Sequence, residues 1–371
     1  MAVAAPEYRW VSVSARTGRI IADLPGVRVP QVGQVLGGEV AASGTLPLGD
    51  RLPTRWEEAI DEAAACLVLL DGDDPVWGGP VVKTERSETD EVPLTLATWE
   101  WYLRGFYVGD ATYTSTQQTL ILADLLESFV QDGSHPLVVE ADASTTLRSD
   151  SFEDADDKTA LSALTACMNL DGGAEWTIGW RHLSDPERYV PVATIRDRIG
   201  ISPGAGFEPA ATFDLPGSVT NFRLTRSYAT GDGANHVVAT SNPDPTAKDD
   251  TGAPLPRPES PPQVYADPLR PTVQRRFTPS TSITQVSTLV SHAVAELAIR
   301  RGGSRALALT AVADGAPRLG RTWSIGDDVG YDIAAPSVPS GLRGQARALG
   351  WTLDFPDDGP TTITPILGVP S

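Results

Sequence analysis

Large and polar residues alternate with period two over much of this chain, the spacing of half-buried strands. Tyr8-Arg9-Trp10-Val11-Ser12-Val13 has it. Thr17-Gly18 then predicts a turn, Arg19 to Leu24 a second strand, and Pro25-Gly26 its end. Gly44-Thr45-Leu46-Pro47-Leu48 reads as a short extended piece, and Trp56 to Ala64 as a brief helix. The clearest hairpin follows. Cys66-Leu67-Val68-Leu69-Leu70 is apolar, Asp71-Gly72-Asp73-Asp74 supplies the turn, and Pro75 to Val82 returns. Gly78-Gly79 inside the return strand predicts a bulge or bend. Val92 to Ala97 alternates again, and an aromatic cluster runs from Trp99 to Tyr107.

The period then changes. Between Gln117 and Val130, Ile121, Leu122, Leu125, Leu126, Phe129 and Val130 share one helical face, and Asp132-Gly133 ends the run. Val138 to Ala141 reads as a strand. Asp157 to Leu170 reads as a second helix, with Asp156 or Asp157 as N-cap and Gly172-Gly173 as its stop. Glu175 to Trp180 is a strand, and strands resume from about Tyr189. Ser218 to Thr225 alternates, and Gly231-Asp232-Gly233 would turn it onto Asn235 to Thr240. Residues 242–271 are rich in Pro, Asp and Thr, which predicts an exposed loop or a subunit-contacting arm. Residues 282–301 form the best helix, with Val286, Leu289, Val290, Ala293, Leu297 and Ala298 as its apolar stripe. Arg300 and Arg301 suit its negative end, and Gly302-Gly303 stops it. Four strands close the chain: Ala306–Val312, Asp327–Ile333, Gly344–Phe355 and Thr361–Leu367.

Composition narrows the function. The 371 residues suit two or three domains at about 100–200 residues each. Gly (34) and Pro (31) fit many short strands joined by turns. With 29 basic against 48 acidic residues the formal charge is −19, which repels phosphate backbones. Arg275–Arg276 and Arg300–Arg301 are pairs, not a basic stripe. The acidic balance suits a channel through which DNA passes without sticking, and equally suits plain solubility. Cys66 and Cys167 each sit in an apolar run and read as small core residues. Residues 1–10 lack a basic start before an apolar run, so no signal peptide is expected, and no membrane span is expected either.

Reactive groups are not gathered by local spacing. His135, His182, His236 and His292 form no metal-binding helical pair. No Gly-x-Ser-x-Gly elbow or phosphate loop occurs, and Gly204-Ala205-Gly206 lacks the third glycine of a dinucleotide fingerprint. Glu57-Glu58 and Asp61-Glu62 read as a solvated face rather than a hydrolytic pair. Asp71-Gly72-Asp73-Asp74 begins like a calcium loop but lacks the later ligands and the closing Glu. Asp154-Ala155-Asp156-Asp157 is better read as acid at a helix start. Nine tryptophans could stack on sugars, but Trp10, Trp77, Trp176, Trp180 and Trp351 lie in strand-like stretches, which favours packing. The expectation is no enzyme, with no catalytic, cofactor-binding or metal residues.

The order of elements resembles the minor tail or baseplate-hub proteins of siphophages infecting actinobacteria. The resemblance rests on Tyr8–Val13, Gly44–Leu48, and the hairpin Leu69-Leu70-Asp71-Gly72-Asp73-Asp74-Pro75-Val76-Trp77-Gly78-Gly79. It continues through the aromatic segment Trp99–Tyr107, the helix near Gln117–Val130, Gly173-Ala174-Glu175-Trp176, and Ile325-Gly326-Asp327-Asp328-Val329. It covers roughly Trp10 to Leu367, and the Trp-Gly-Gly hairpin is its most specific piece. It implies a mainly β fold with an α/β insert: two tail-tube-like β-barrel domains (residues 1–110 and 186–371) flanking a small α/β domain (111–185). It also implies a homotrimeric ring at the tail tip, joining tail tube and distal tail protein to the tip and gating the DNA channel. The expected partners are the distal tail protein, tail tube, tape measure protein and other minor tail or fibre proteins. DNA would pass only in transit, and the host envelope would be met through other tip proteins. A receptor- or carbohydrate-binding tip protein, a tail-associated cell-wall hydrolase and the hub of a contractile system are the alternatives.

Overall fold

The computed structural model describes residues 6–49, 52–130, 133, 135–170, 172–203, 208–242, 257–279, 281, 283 and 285–368. Asp132, Gly204-Ala205-Gly206, Ser282 and most of the Pro-rich stretch (243–256) lie outside them. The chain divides into two compact units. Unit 1 is Met1–Phe222 with Ala308–Ser371, and unit 2 is Arg223–Leu307. The fold is mainly β with few helices.

Unit 1 opens with β1 (Tyr8–Ser14), β2 (Ile20–Asp23), β3 (Gln31–Val35) and β4 (Ala41–Pro47). A one-turn helix α1 (Trp56–Ala59), shorter than the sequence predicts, precedes β5 (Ala65–Asp71), β6 (Asp74–Thr84) and β7 (Glu91–Ala97). Six of these strands make an antiparallel sheet in the order β2-β1-β5-β6-β7-β4. The apolar run Cys66–Leu70 lies inside it at 0% exposure. Gly72, at φ +66, makes the β5–β6 turn, as Asp-Gly predicts. The bulge expected at Gly78-Gly79 falls earlier. Leu69 pairs with Trp77 and Leu70 with Pro75, leaving Val76 extra, while Gly78 and Gly79 pair regularly with Val68 and Leu67. These glycines serve close approach instead. A Cβ on Gly78 would lie 2.5 Å from the Trp180 ring, and one on Gly79 would lie 1.7 Å from the Ala97 carbonyl oxygen.

After a 3-10 turn (Trp99–Arg104) come β8 (Ala111–Gln117), α2 (Gln118–Val130), β9 (Val138–Ala141), β10 (Leu147–Phe152), α3 (Ala160–Met168), β11 (Glu175–Ser184) and β12 (Glu187–Arg196). β8 pairs with β10, and β12 lies between β11 and a parallel β9. α2 buries Ile121, Leu122, Leu125, Leu126 and Phe129, the predicted face. α3 starts later than expected. Its N-cap is Thr159, whose Oγ1 accepts from the Ser162 N–H at 3.3 Å, while Asp157 takes a left-handed turn at φ +47. One hydrophobic core joins this segment to the first sheet, with Val11, Val13, Trp99, Leu164, Trp176 and Ile195 among its members.

The rest is β13 (Thr212–Leu215), β14 (Val219–Ser227), β15 (His236–Ala239), β16 (Gln263–Val264), β17 (Gln274–Phe277), α4 (Val286–Arg300), β18 (Ser304–Val312), β19 (Asp328–Ala335), β20 (Val338–Asp354) and β21 (Thr362–Leu367). A seven-stranded sheet runs β13-β19-β20-β21-β18-β14, and β3 also pairs with β20, Val32 opposite Leu353. The expected β14–β15 hairpin does not form, since β14 lies beside β18. β15 instead sits between β16 and a parallel β17 in unit 2. Packing decides this: Val237 and Ala239 of β15 form a small core with Leu289 and Ala293 of α4. α4 exposes Val286 and Ala298, which the sequence places in its apolar stripe. β16 and the Glu259–Thr240 bridge show that the described part of residues 242–271 carries pairing of its own.

Candidate functional site

The acids that most resembled a metal loop are held by arginines. Asp71 is 3% exposed, and Arg318 donates from Nε to its Oδ2 at 2.6 Å and from Nη2 to its Oδ1. Arg9 reaches Asp73 at 3.1 Å and Arg321 reaches Asp74 at 2.6 Å. A carboxylate in a bidentate guanidinium fork has little capacity left for a cation. Among the described residues no group of three His, Cys, Asp or Glu is placed to hold a metal ion.

The other candidates disperse. Glu58 pairs with Arg55 and Glu57 with Arg86, on the surface. His182 stacks on Tyr189, His135 stacks on Phe129, His236 lies in β15, and His292 is exposed on α4. Cys66 and Cys167 are both free and buried, and burial pushes their thiols up to about 12 and about 11, far from reactive thiolates. Trp99, Trp176, Trp323 and Trp351 are almost wholly buried. Trp77 donates to the Gly33 carbonyl at 2.9 Å and meets Trp10 edge to face. Burial takes these rings away from any sugar. A groove of about 510 Å³ is walled mainly by apolar residues, including Leu24, Val27, Leu46 and Leu52, with Arg28 as its charged residue.

What the structure does bring together is a set of partly buried polar cross-links between distant segments of unit 1. Glu175, at the start of β11, receives Arg347 of β20 through a two-pronged fork, one arm at 2.6 Å, and also the Ile199 N–H at 2.7 Å. Arg347 donates onward to the Ile199 carbonyl at 2.7 Å. Arg198 reaches Asp328 at 2.8 Å. Gln118 and Ser144 both donate to Asp197, at 2.7 and 2.6 Å. Each of these charges finds its partner, which offsets the partial loss of water around it. Local spacing could not reveal these pairs, because they join residues far apart in sequence.

Glu100 is the exception. It is 0% exposed, and the charged group facing it is another carboxylate, Glu39, whose own partner is Arg104. Burial, opposed only in part by the nearby Thr98 hydroxyl and the backbone amides of Glu100 and Ile178, raises its pKa to about 7, and Glu39 adds to the rise. The sequence signal was an acid between Trp99 and Trp101.

The whole described chain can be laid on known structures. A 43 kDa tail protein of prophage MuSo2 from Shewanella oneidensis matches with a TM-score of 0.60 at 12% identity, over 97% of this chain and 98% of that one. Its fold is that of a prophage tail protein. A tail protein from Neisseria meningitidis MC58 agrees, at TM-score 0.56 and 14% identity over 98% and 96%. The lidded Francisella PdpA-VgrG complex matches at TM-score 0.52 and 8% identity, over 98% of this chain but 53% of that one. No protein-family model matches the chain, and no curated protein sequence does. The tail-protein fold thus stands on shape at low identity.

Proposed function

We propose that this chain is a structural subunit of a phage tail: a minor tail or baseplate-hub protein that forms a ring at the tail tip. The observation that carries the reading is the likeness to prophage tail proteins end to end, over nearly all of both chains. A second support is chemical. The buried Asp71 at the hairpin turn and the partly buried Glu175 of β11 are engaged by arginines that tie the unit together. Ring subunits work by keeping shape under load, and buried charge forks fix geometry.

In this reading the ring is a homotrimer with two barrel domains per chain and an α/β domain between them. It joins the tail tube and distal tail protein to the tip, accommodates the tape measure protein, and gates DNA passage. The acidic surface lets DNA pass without adhering. The mechanism is assembly and conformational gating, with no covalent step. Gold-labelled antibody against the chain, imaged on assembled particles by electron microscopy, should mark the tail tip. Label along the tube or on the capsid would sink the reading. Release of soluble fragments from host cell walls by the purified chain would replace it with a hydrolase.

A further inference from the structure

Glu100 lies at a joint inside unit 1, where the first sheet meets the α/β segment. β3 and the turn after it hold β11 from one side. Gln34 Nε2 donates to the Ile178 carbonyl at 2.6 Å, and the Gly37 N–H donates to the Trp176 carbonyl at 2.9 Å. The 3-10 turn Trp99–Arg104 meets the same stretch, with Glu100 beside the Ile178 amide. That turn is tied at both ends. Before it, the Thr98 N–H donates to the Val40 carbonyl at 2.9 Å, and the Val40 N–H to the Thr98 hydroxyl at 3.1 Å. After it, the Ala160 N–H donates to the Phe106 carbonyl at 2.8 Å. A segment pinned at its ends can lift in the middle without the sheets coming apart.

The turn carries an acid without a counterion into this joint. Glu100 is 0% exposed, and among the described residues neither carboxyl oxygen has a hydrogen bond. The charged groups of the surrounding elements are engaged elsewhere. On the same turn Arg104 pairs with Glu39, and the Tyr102 hydroxyl donates to the Ala63 carbonyl at 2.9 Å. In β11, Glu175 is held by Arg347, Arg181 pairs with Glu140, and His182 stacks on Tyr189. In β6, Lys83 pairs with Glu85 and Asp74 with Arg321. In α3, the Cys167 thiol faces Asp150. The charge that acts on Glu100 is therefore Glu39, of the same sign, with a side chain only 9% exposed. A neutral carboxyl is tolerated in such a place, and a carboxylate calls for water.

We propose that Glu100 and Glu39 form a pH-operated latch: protonated Glu100 keeps the 3-10 turn closed on β11, and its ionisation lets the turn lift locally until water reaches the carboxylate. The latch is a property of unit 1 and stands apart from the tail-tip reading. In the closed joint the acid titrates at about 7, while in the open one it returns to the ordinary 4.5. Opening is then rarest below pH 4.5, grows about tenfold per pH unit up to about 7, and levels off about 300-fold higher.

Hydrogen exchange of the full chain, read by mass spectrometry on peptides spanning Thr98–Phe106 and Ala65–Asp71, tests this. After correction for intrinsic exchange, opening of the first peptide should rise about 300-fold between pH 4.5 and about 7 and then stay level. It should not change with urea well below the unfolding midpoint, because a local opening exposes little surface. Glu100→Gln should abolish the pH dependence. Glu39→Gln, which removes the like charge alone, should lower the upper end of the window. If the turn opens with the same urea dependence as β5, it yields only when unit 1 unfolds, and the latch is overturned while the Glu100 titration stands. If both variants keep the wild-type profile, another group senses pH and the latch is overturned outright.

Discussion

Glu100 and Asp71 are both acids buried in unit 1, and their surroundings give them opposite consequences. Asp71 sits in the Arg318 fork. Removing one member of such a pair leaves the other charge buried alone, at a cost of about 3–5 kcal/mol. Arg318→Leu should therefore lower stability in urea melts by about that much. Asp71→Asn combined with Arg318→Met should cost less, because both charges leave together. Asp73→Ala, which breaks an exposed pair with Arg9, should shift the midpoint by under about 1 kcal/mol. Equal effects in all three would mean that the Asp71 pair is not buried as described. Among the described residues no cation offsets the burial of Glu100, so its folded pKa of about 7 stands above the ordinary 4.5. A raised acid contributes stability that is full below the unfolded pKa and is lost as pH climbs through the folded one. The window is therefore pH 4.5 to about 7. Glu100→Gln keeps the shape and removes the titration. It should stabilise the chain at pH 8 relative to wild type, on the order of 3 kcal/mol, and leave it about unchanged at pH 4.5. Melts of the two proteins at both pH values decide it, and a constant gap would place the Glu100 titration outside this window.

At the scale of elements, strands with large alternating residues were legible, and so was α2. β1 and β7 lie where period two placed them, β5 where its apolar run did, and β19 and β21 where closing strands were expected, within a residue or two. β8 and β10 were missed because Thr, Ser and Asp fill them and few large apolar residues mark a face. β13 was missed because four residues carry too little pattern. Pairing was less legible than existence. Alternation tells which face of a strand is buried but not what lies beside it. Hence β3 on β20, with Gln31 and Asp354 bonded across 323 positions, has no sequence signal. The candidate site was legible only as dispersal: the single acids and histidines were visible, but the arginines that neutralise the acids were not. The glycines of β6 make the element-scale prediction. Gly79→Ala would set a methyl 1.7 Å from the Ala97 carbonyl, backbone against backbone, so β6 and its neighbours must separate. The variant should be insoluble or melt far below wild type. Gly26→Ala, with no atom within 4 Å of the added carbon, should melt with the wild type. Matching melts for the two variants would refute the close approach.

At the scale of the whole molecule, unit 1 is discontinuous in sequence, and its closing segment is not an appendage. That segment, Ala308–Ser371, supplies β20 to β3, Arg318 to Asp71 and Arg347 to Glu175. Without it the first 222 residues lose a sheet neighbour and leave the buried Asp71 and the partly buried Glu175 without their arginines. A chain ending at Leu307 should therefore fail to fold. Unit 2, in contrast, is entered through β14 and left through β18, which are neighbours in one sheet. Replacing residues 228–303 with a short Gly-Ser turn should join those strands as a hairpin and leave unit 1 intact, since short connections between adjacent antiparallel strands are readily made. All nine tryptophans lie in unit 1, so tryptophan fluorescence reads that unit alone. The deleted chain should keep the wild-type emission maximum and a single cooperative melt, whereas the truncated chain should emit like solvent-exposed indole. If the deletion unfolded unit 1, unit 2 would be part of its folding core rather than a body carried on two strands. If the truncated chain kept its emission, the cross-links to Arg318 and Arg347 would contribute far less than one buried and one partly buried charge pair must.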